Sequence, residues 1–193
     1  MHIIDITKEM LSSPVYPGSN RAKLEQIKSV TKGDMYNLSH FSSDVHCSTH
    51  ADAPLHFFSS GCDIASMPLE HYIGDCYVID VNEGLLTDGY LMPKIPPNAK
   101  RILLRTNRKS YLSNSCAKAL AEMGIITIGT DALSVASCDN EYNIHTILLG
   151  KNIAIIESLD LSHTSEGEYF LSAAPLKIKG SDGAFVRAVL IKF

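Results

Sequence analysis

The chain has 193 residues, 45% of them hydrophobic and 20% charged, with a formal charge of -4, an ordinary globular composition and enough length for one well-cored domain spanning 1–193. The acidic balance lacks the basic footprint of a nucleic-acid or anionic-membrane binder, and no apolar run approaches a membrane span. With no basic and apolar leader in Met1-His2-Ile3-Ile4-Asp5, the expectation is a cytoplasmic protein that acts on a small molecule.

In chain order, residues 3–6 read as a short strand, and Ser12-Ser13-Pro14-Val15-Tyr16-Pro17-Gly18 as a loop stiffened by two prolines. Tyr16, held between them, is placed to wall a pocket or to cover the core edge. Imperfect alternation over 23–30 gives a strand, and the polar and aromatic run 35–43 extends into the densest functional signal of the chain. There, His46-Cys47-Ser48-Thr49-His50-Ala51-Asp52-Ala53-Pro54-Leu55-His56-Phe57 sets three histidines and a carboxylate in eleven positions. His with Asp is a ligand set for zinc, manganese or iron. Pro54 argues against one continuous helix, and an extended or turning segment would aim at least His50 and Asp52 to one side.

Asp63 is positioned to cap a helical turn over 64–67, and His71, nearby, is given no role. Strands follow at 76–81 and 101–105. Ser113 or Asn114 then caps a helix running to Met123, with Gly124 as its terminator, and a buried strand resumes at 125–128. This strand, helix, strand order predicts a crossover unit of an α/β sheet. Residues 129–134 read as a loop leading towards His145, 153–157 as a buried strand ending on Glu157, 167–175 as a loop into a short strand, and 184–191 as the closing strand. Glu157 either emerges into solvent or points at the site. Cys47, Cys62, Cys76, Cys116 and Cys138 contain no C-x-x-C pair, so reduced thiols rather than disulfides or a thiolate zinc site are expected. His40 and His163 read as surface or packing residues.

The stretch His46-x-Ser48-Thr49-His50-x-Asp52-x-Pro54-x-His56-Phe57 resembles the H-x-G-T-H-x-D-x-P-x-H-F signature of the bacterial metal-dependent kynurenine formamidase and cyclase-like hydrolase family, which includes isatin hydrolase. The span from His145 to Glu157 is similar to the family's second motif, and Tyr16-Pro17-Gly18, Gly129-Thr130-Asp131-Ala132, Pro175-Leu176-Lys177-Ile178 and Val186-Arg187-Ala188 to further segments in the same order. The resemblance implies a β-rich α/β domain of the swivelling β/β/α type and a homodimer. It implies that His46, His50 and Asp52 bind one divalent ion, that Asp52 bridges to a second held by His145 and Glu157, and that His56 is the acid/base. Two zinc ions per chain are the first expectation, with manganese or iron as alternatives.

The implied reaction is hydrolysis of a C–N bond in a linear or cyclic amide, N-formylkynurenine being the first candidate. An isatin-like lactam, or a non-catalytic metal-binding role, is the alternative. Two positions depart from the pattern. Ser48 stands where the family has glycine. Tyr16 stands where it commonly has a substrate-stacking tryptophan, and its smaller ring and added hydroxyl suit a smaller or more polar substrate.

Overall fold

Most of the apolar runs enter one sheet. The computed structural model describes Met1–Phe193 and contains strands β1 (His2–Asp5), β2 (Lys23–Lys28), β3 (Leu38–Ser42), β4 (His50–Asp52), β5 (Ile73–Asp80), β6 (Leu85–Leu86), β7 (Arg101–Arg105), β8 (Tyr111–Leu112), β9 (Thr127–Thr130), β10 (Ala154–Glu157), β11 (Gly167–Ser172), β12 (Gly183–Phe185) and β13 (Val189–Lys192), with helices α1 (Asp88–Leu91), α2 (Asn114–Glu122) and α3 (Glu141–Leu149). Nine strands form a mixed sheet in the order β1-β13-β11-β5-β7-β9-β10-β4-β12, while β2 with β3 and β6 with β8 form separate pairs. The centre, β5-β7-β9-β10, is parallel, and the flanking strands are antiparallel.

Period-two alternation splits the apolar side chains between the two faces. On β7, Leu103 joins the inner core with Val78, Ile156, Ala184 and Leu190. Its neighbours Ile102 and Leu104 join the outer core under the helices, with Leu120, Ile128, Ile144 and Leu148. The sheet curls around the inner core: Ile6 donates to the Ala188 carbonyl at 3.0 Å and accepts from Asp160 N at 2.8 Å, and Thr7 bridges Leu159. Those bonds bring the chain after β1 against the residues that follow β10. Gly129 permits the layer to close, because a Cβ there would lie 2.4 Å from Leu103 Cδ2.

The expected crossover is present as β7-α2-β9. Ser113 caps α2 by accepting from Cys116 N at 3.2 Å, and Gly124 leaves the helix with φ 76°. Asp63 likewise caps a single turn, Ile64–Ser66, accepting from Ser66 N at 2.9 Å. Several boundaries differ from the sequence reading: residues 167–172, read as the start of a loop, are strand β11, because β5 and β13 flank them and pair with them. The strand after α2 runs on through Gly129 and Thr130, because β7 and β10 flank it and supply hydrogen-bond partners that loop-like residues do not advertise. Residues 141–149 form a helix that the reading did not assign, since Ile144, Thr146 and Ile147 are β-branched and obscure the helical period. The closing segment is two strands: β12 pairs with β4 at one edge, then the chain turns at Val186–Ala188 so that β13 joins the opposite side.

Candidate metal centre and adjoining cavity

The centre forms where the parallel strands end. In register, Glu157 on β10 lies opposite His50 on β4, and Asp52 lies opposite both Ile155 and Gly183. Directly opposed residues share a face, so His50, Asp52 and Glu157 all point to the helix side while Ala51 between them enters the inner core. Helix α3, which connects β9 to β10, brings His145 over the same spot.

His50 Nε2 lies 3.3 Å from Asp52 Oδ1 and 3.6 Å from Glu157 Oε2. His145 Nε2 lies 3.6 Å from Asp52 Oδ2 and 3.3 Å from Glu157 Oε1. Zinc-type bonds of about 2.0–2.1 Å in tetrahedral geometry imply ligand-to-ligand separations of roughly 3.3 Å, and these four spacings match that size. Both tautomers are set from behind. His50 Nδ1 donates to the Ser48 carbonyl at 2.9 Å and His145 Nδ1 to the Glu141 carbonyl at 2.9 Å, leaving each Nε2 free as a ligand. Asp52 Oδ2 is buried without a hydrogen-bond partner. An unpartnered buried carboxylate oxygen is costly unless a cation meets it, and the four donors around it fit a divalent ion.

Ser48 takes φ 57°, as does Ser158 directly after Glu157. The position where the family has glycine therefore needs the left-handed backbone, and here a serine adopts it. Its Oγ hydrogen-bonds with Ser13 Oγ at 2.9 Å and donates to the Lys8 carbonyl at 3.2 Å. Thr49 Oγ1 donates to the Ser158 carbonyl at 2.7 Å and accepts from Lys8 N at 2.9 Å, tying both left-handed turns to the N-terminal segment.

His46 lies on the far side of Asp52, with Nδ1 2.9 Å from Asp52 Oδ1 and Nε2 2.8 Å from Asp182 Oδ2. Burial works against its charge, but those two carboxylates outweigh it and hold the imidazole up to about 9. His145 is also held well above the ordinary histidine value, against its burial, by Asp52 and Glu157. Asp52 is held well below the ordinary carboxylate range, against complete burial, by the surrounding histidines. His56 sits on the turn Pro54–His56, stacked on His46 with ring centroids 4.0 Å apart, and its Nδ1 lies 3.1 Å from the same Asp182 oxygen. Its pKa is lowered by burial and then by the neighbouring His46 and His145, although Asp52 and Asp182 oppose the shift.

A cavity of about 260 Å³ adjoins the centre, lined by Tyr16, His56, Phe57, Leu133, Glu141 and the site histidines, with no lysine or arginine. Tyr16 therefore walls it, donating from its hydroxyl to Glu141 Oε2 at 2.8 Å. Burial, then Cys138 and Glu141, raise the phenol well above its ordinary value and keep it a donor. A larger groove of about 760 Å³ runs past Pro96, Arg101 and Lys192. Its cations are already engaged, Arg101 by the Glu70 and Asp75 carbonyls and Lys192 by the Tyr169 ring.

Every residue singled out in the sequence thus reaches this centre or its cavity: His46, His50, Asp52, His56, His145, Glu157 and Tyr16. Glu157 points inward, accepting from Val135 N at 2.9 Å. Asp182 and Glu141 were not anticipated. Glu141 had one available signal, its place one helical turn before His145. Asp182 had only a weak one, an acid beside a glycine ahead of a closing strand. Gly183 is equally required, because a Cβ there would lie 2.6 Å from His46 Cε1.

The model of the cyclase family, described as "Putative cyclase", matches residues 4–137. A kynurenine formamidase from Erythrobacter litoralis is 34% identical over 190 residues, covering 92% of this chain and 87% of its own. A "predicted metal-dependent hydrolase" from Bacillus stearothermophilus superposes with a TM-score of 0.80 at 27% identity, covering 98% of this chain and 97% of its own. Isatin hydrolase A from Labrenzia aggregata shares the fold, with a TM-score of 0.84 at 23% identity over 98% of this chain and 93% of its own.

Proposed function

The chain belongs to the cyclase family, and from that premise we propose that it is a metal-dependent amidohydrolase that cleaves the C–N bond of a small linear or cyclic amide. The observation that carries this reading is the Asp52 carboxylate, its Oδ2 buried and unpartnered, with His50 Nε2 beside Oδ1 and His145 Nε2 beside Oδ2 and both histidine tautomers set for ligation. The ligand assignment is His46, His50 and Asp52 for one ion, with Asp52, His145 and Glu157 for a second. Zinc is the expected metal. The functional unit is residues 1–193, a cytoplasmic homodimer; its five unpaired thiols suit a reducing compartment.

A divalent ion held there would supply an acidified water and polarise the amide carbonyl. The chain's own residues do the rest. His56, its Nδ1–H directed at Asp182, keeps Nε2 as a proton acceptor, and its lowered pKa keeps that nitrogen neutral at pH 7. It takes the proton released on attack and returns it to the leaving nitrogen. Phe57, stacked on His145 at 4.8 Å between centroids, and Leu133 give the cavity apolar walls, while Tyr16 and Glu141 offer it a polar end.

N-formylkynurenine is the first substrate to test. The small volume, the tyrosine in place of a tryptophan and the absence of a lysine or arginine from the lining also favour compact, uncharged amides such as an isatin-like lactam. The zinc-loaded protein is to be assayed on N-formylkynurenine, isatin and simple cyclic amides. Hydrolysis of at least one, lost on chelation and restored by zinc, is the expected outcome. Two bound ions per chain with no turnover on any of them would overturn the proposal in favour of a metal-binding relative without catalysis.

A further inference from the structure

Two carboxylates line the cavity, and only Glu157 belongs to the metal centre. The other, Glu141, opens α3 four residues before His145, a rise of about 6 Å along the helix axis and the span of one substituted aromatic ring. An acid in the first turn suits the helix dipole, which accounts for the residue type. It does not account for the clamp on the side chain. Oε2 takes the Tyr16 hydroxyl at 2.8 Å from a loop 125 residues away, while Oε1 has no hydrogen-bond partner in the chain and is not sealed in protein.

Tyr16 can only donate in this pair, so it holds one carboxylate oxygen in place and leaves the second as an acceptor of fixed position. A carboxylate acceptor makes short, strong bonds to N–H donors. Towards another carboxylate it is repulsive, and the lining has no lysine or arginine to mediate between them. A site built around such a group discriminates strongly, because a ligand without the donor leaves the acceptor unpaired.

We propose that Glu141 is the specificity-determining residue of the cavity: it receives an amine N–H of the substrate at the end remote from the metal centre and turns away substrates that place a carboxylate there. The proposal rests on the amidohydrolase reading above and narrows its substrate class to compact amides that also carry an amine.

Binding to the zinc-loaded protein, read by titration calorimetry, tests this apart from hydrolysis. The probes are N,N-dimethylbenzamide, whose tertiary amide has no N–H, and its para-amino, para-aminomethyl and para-carboxy derivatives. The wild-type protein should bind an amine derivative about 10-fold or more tightly than the parent. Preference for the aminomethyl probe alone assigns the donor as an ammonium, and preference for both amines as an N–H of either charge. Glu141→Gln keeps an oxygen for the Tyr16 hydroxyl and presents an NH2 in place of Oε1. It should abolish the amine preference and tighten the carboxy derivative, with the parent's affinity unchanged. Tyr16→Phe, which keeps the acceptor but frees it to turn, should reduce the preference without reversing it. Three results would overturn the proposal and spare the amidohydrolase reading: a wild-type protein that binds neither amine more tightly than the parent, an amine preference that survives Glu141→Gln, or a Glu141→Gln variant that weakens all four probes by the same factor. An amine preference removed by Glu141→Gln, with no turnover on any amide, would overturn hydrolysis and spare the donor site.

Discussion

The β2–β3 hairpin and the histidine centre follow one another in the chain and are built on opposite principles. From Cys47 to Pro54 every residue is buried, and Asp52 Oδ2 is enclosed there without a hydrogen-bond partner. From Lys23 to Ser42 only Ser29 is buried, and the ribbon is held mainly by its own cross-strand bonds. The centre would be completed by a small cation, whereas the hairpin turns its apolar side chains to solvent. A buried carboxylate oxygen without a partner asks for a cation.

If that contrast holds, the centre should be sensitive to single atoms. Asp52→Ala is expected to have the largest effect, with bound metal and turnover both falling below detection by elemental analysis and assay. His56→Ala should lower kcat by roughly 10²–10⁴-fold with ion content unchanged; retained activity in the metal-loaded variant would remove His56 as the acid/base. In the wild-type protein the acid limb of kcat/KM should lie below 6.5, the ordinary histidine value, because burial depresses His56. Bound metal ions would press it in the same direction.

Asp182→Asn should cost about 10–100-fold in kcat/KM, as loss of a positioning partner does. It should also move that acid limb lower still, because the carboxylate that favours protonated His56 is gone. A uniform loss of activity with the pH profile unmoved would reduce Asp182 to a structural role. Smallest is Ser48→Gly: relief of about 1 kcal/mol of left-handed strain opposes the loss of two hydroxyl hydrogen bonds of about 1 kcal/mol each. A drop in Tm of less than ~4 °C with turnover retained is expected.

Much of the site was legible because its residue types are rare in combination. Three histidines and an aspartate around Pro54 exclude an ordinary helix and offer a ligand set, and His50-Ala51-Asp52 carries its two-residue period on its face. Glu157 was legible as a carboxylate closing an apolar strand, though whether it faced solvent or metal depended on β4 lying beside β10. Helix α3 was hidden by its β-branched residues, and Glu141 was hidden with it. Asp182 could not be found from local pattern, because its role comes from β12 pairing with β4, a contact across more than a hundred residues.

By itself the sequence determined the local chemistry: which side chains can ligate, where Pro54 breaks the chain, that Ser113 or Asn114 opens α2 and Gly124 ends it, and which runs are apolar enough to be strands. These follow from a few bonds of covalent geometry and from residue type. The tertiary structure alone decided convergence. Antiparallel register set Glu157 against His50, Gly183 made room for His46, Asp182 came under both His46 and His56, and Ser48 was forced into a left-handed turn that its neighbours sustain. Those are properties of long-range pairing, and neither residue type nor spacing encodes them until the sheet has closed.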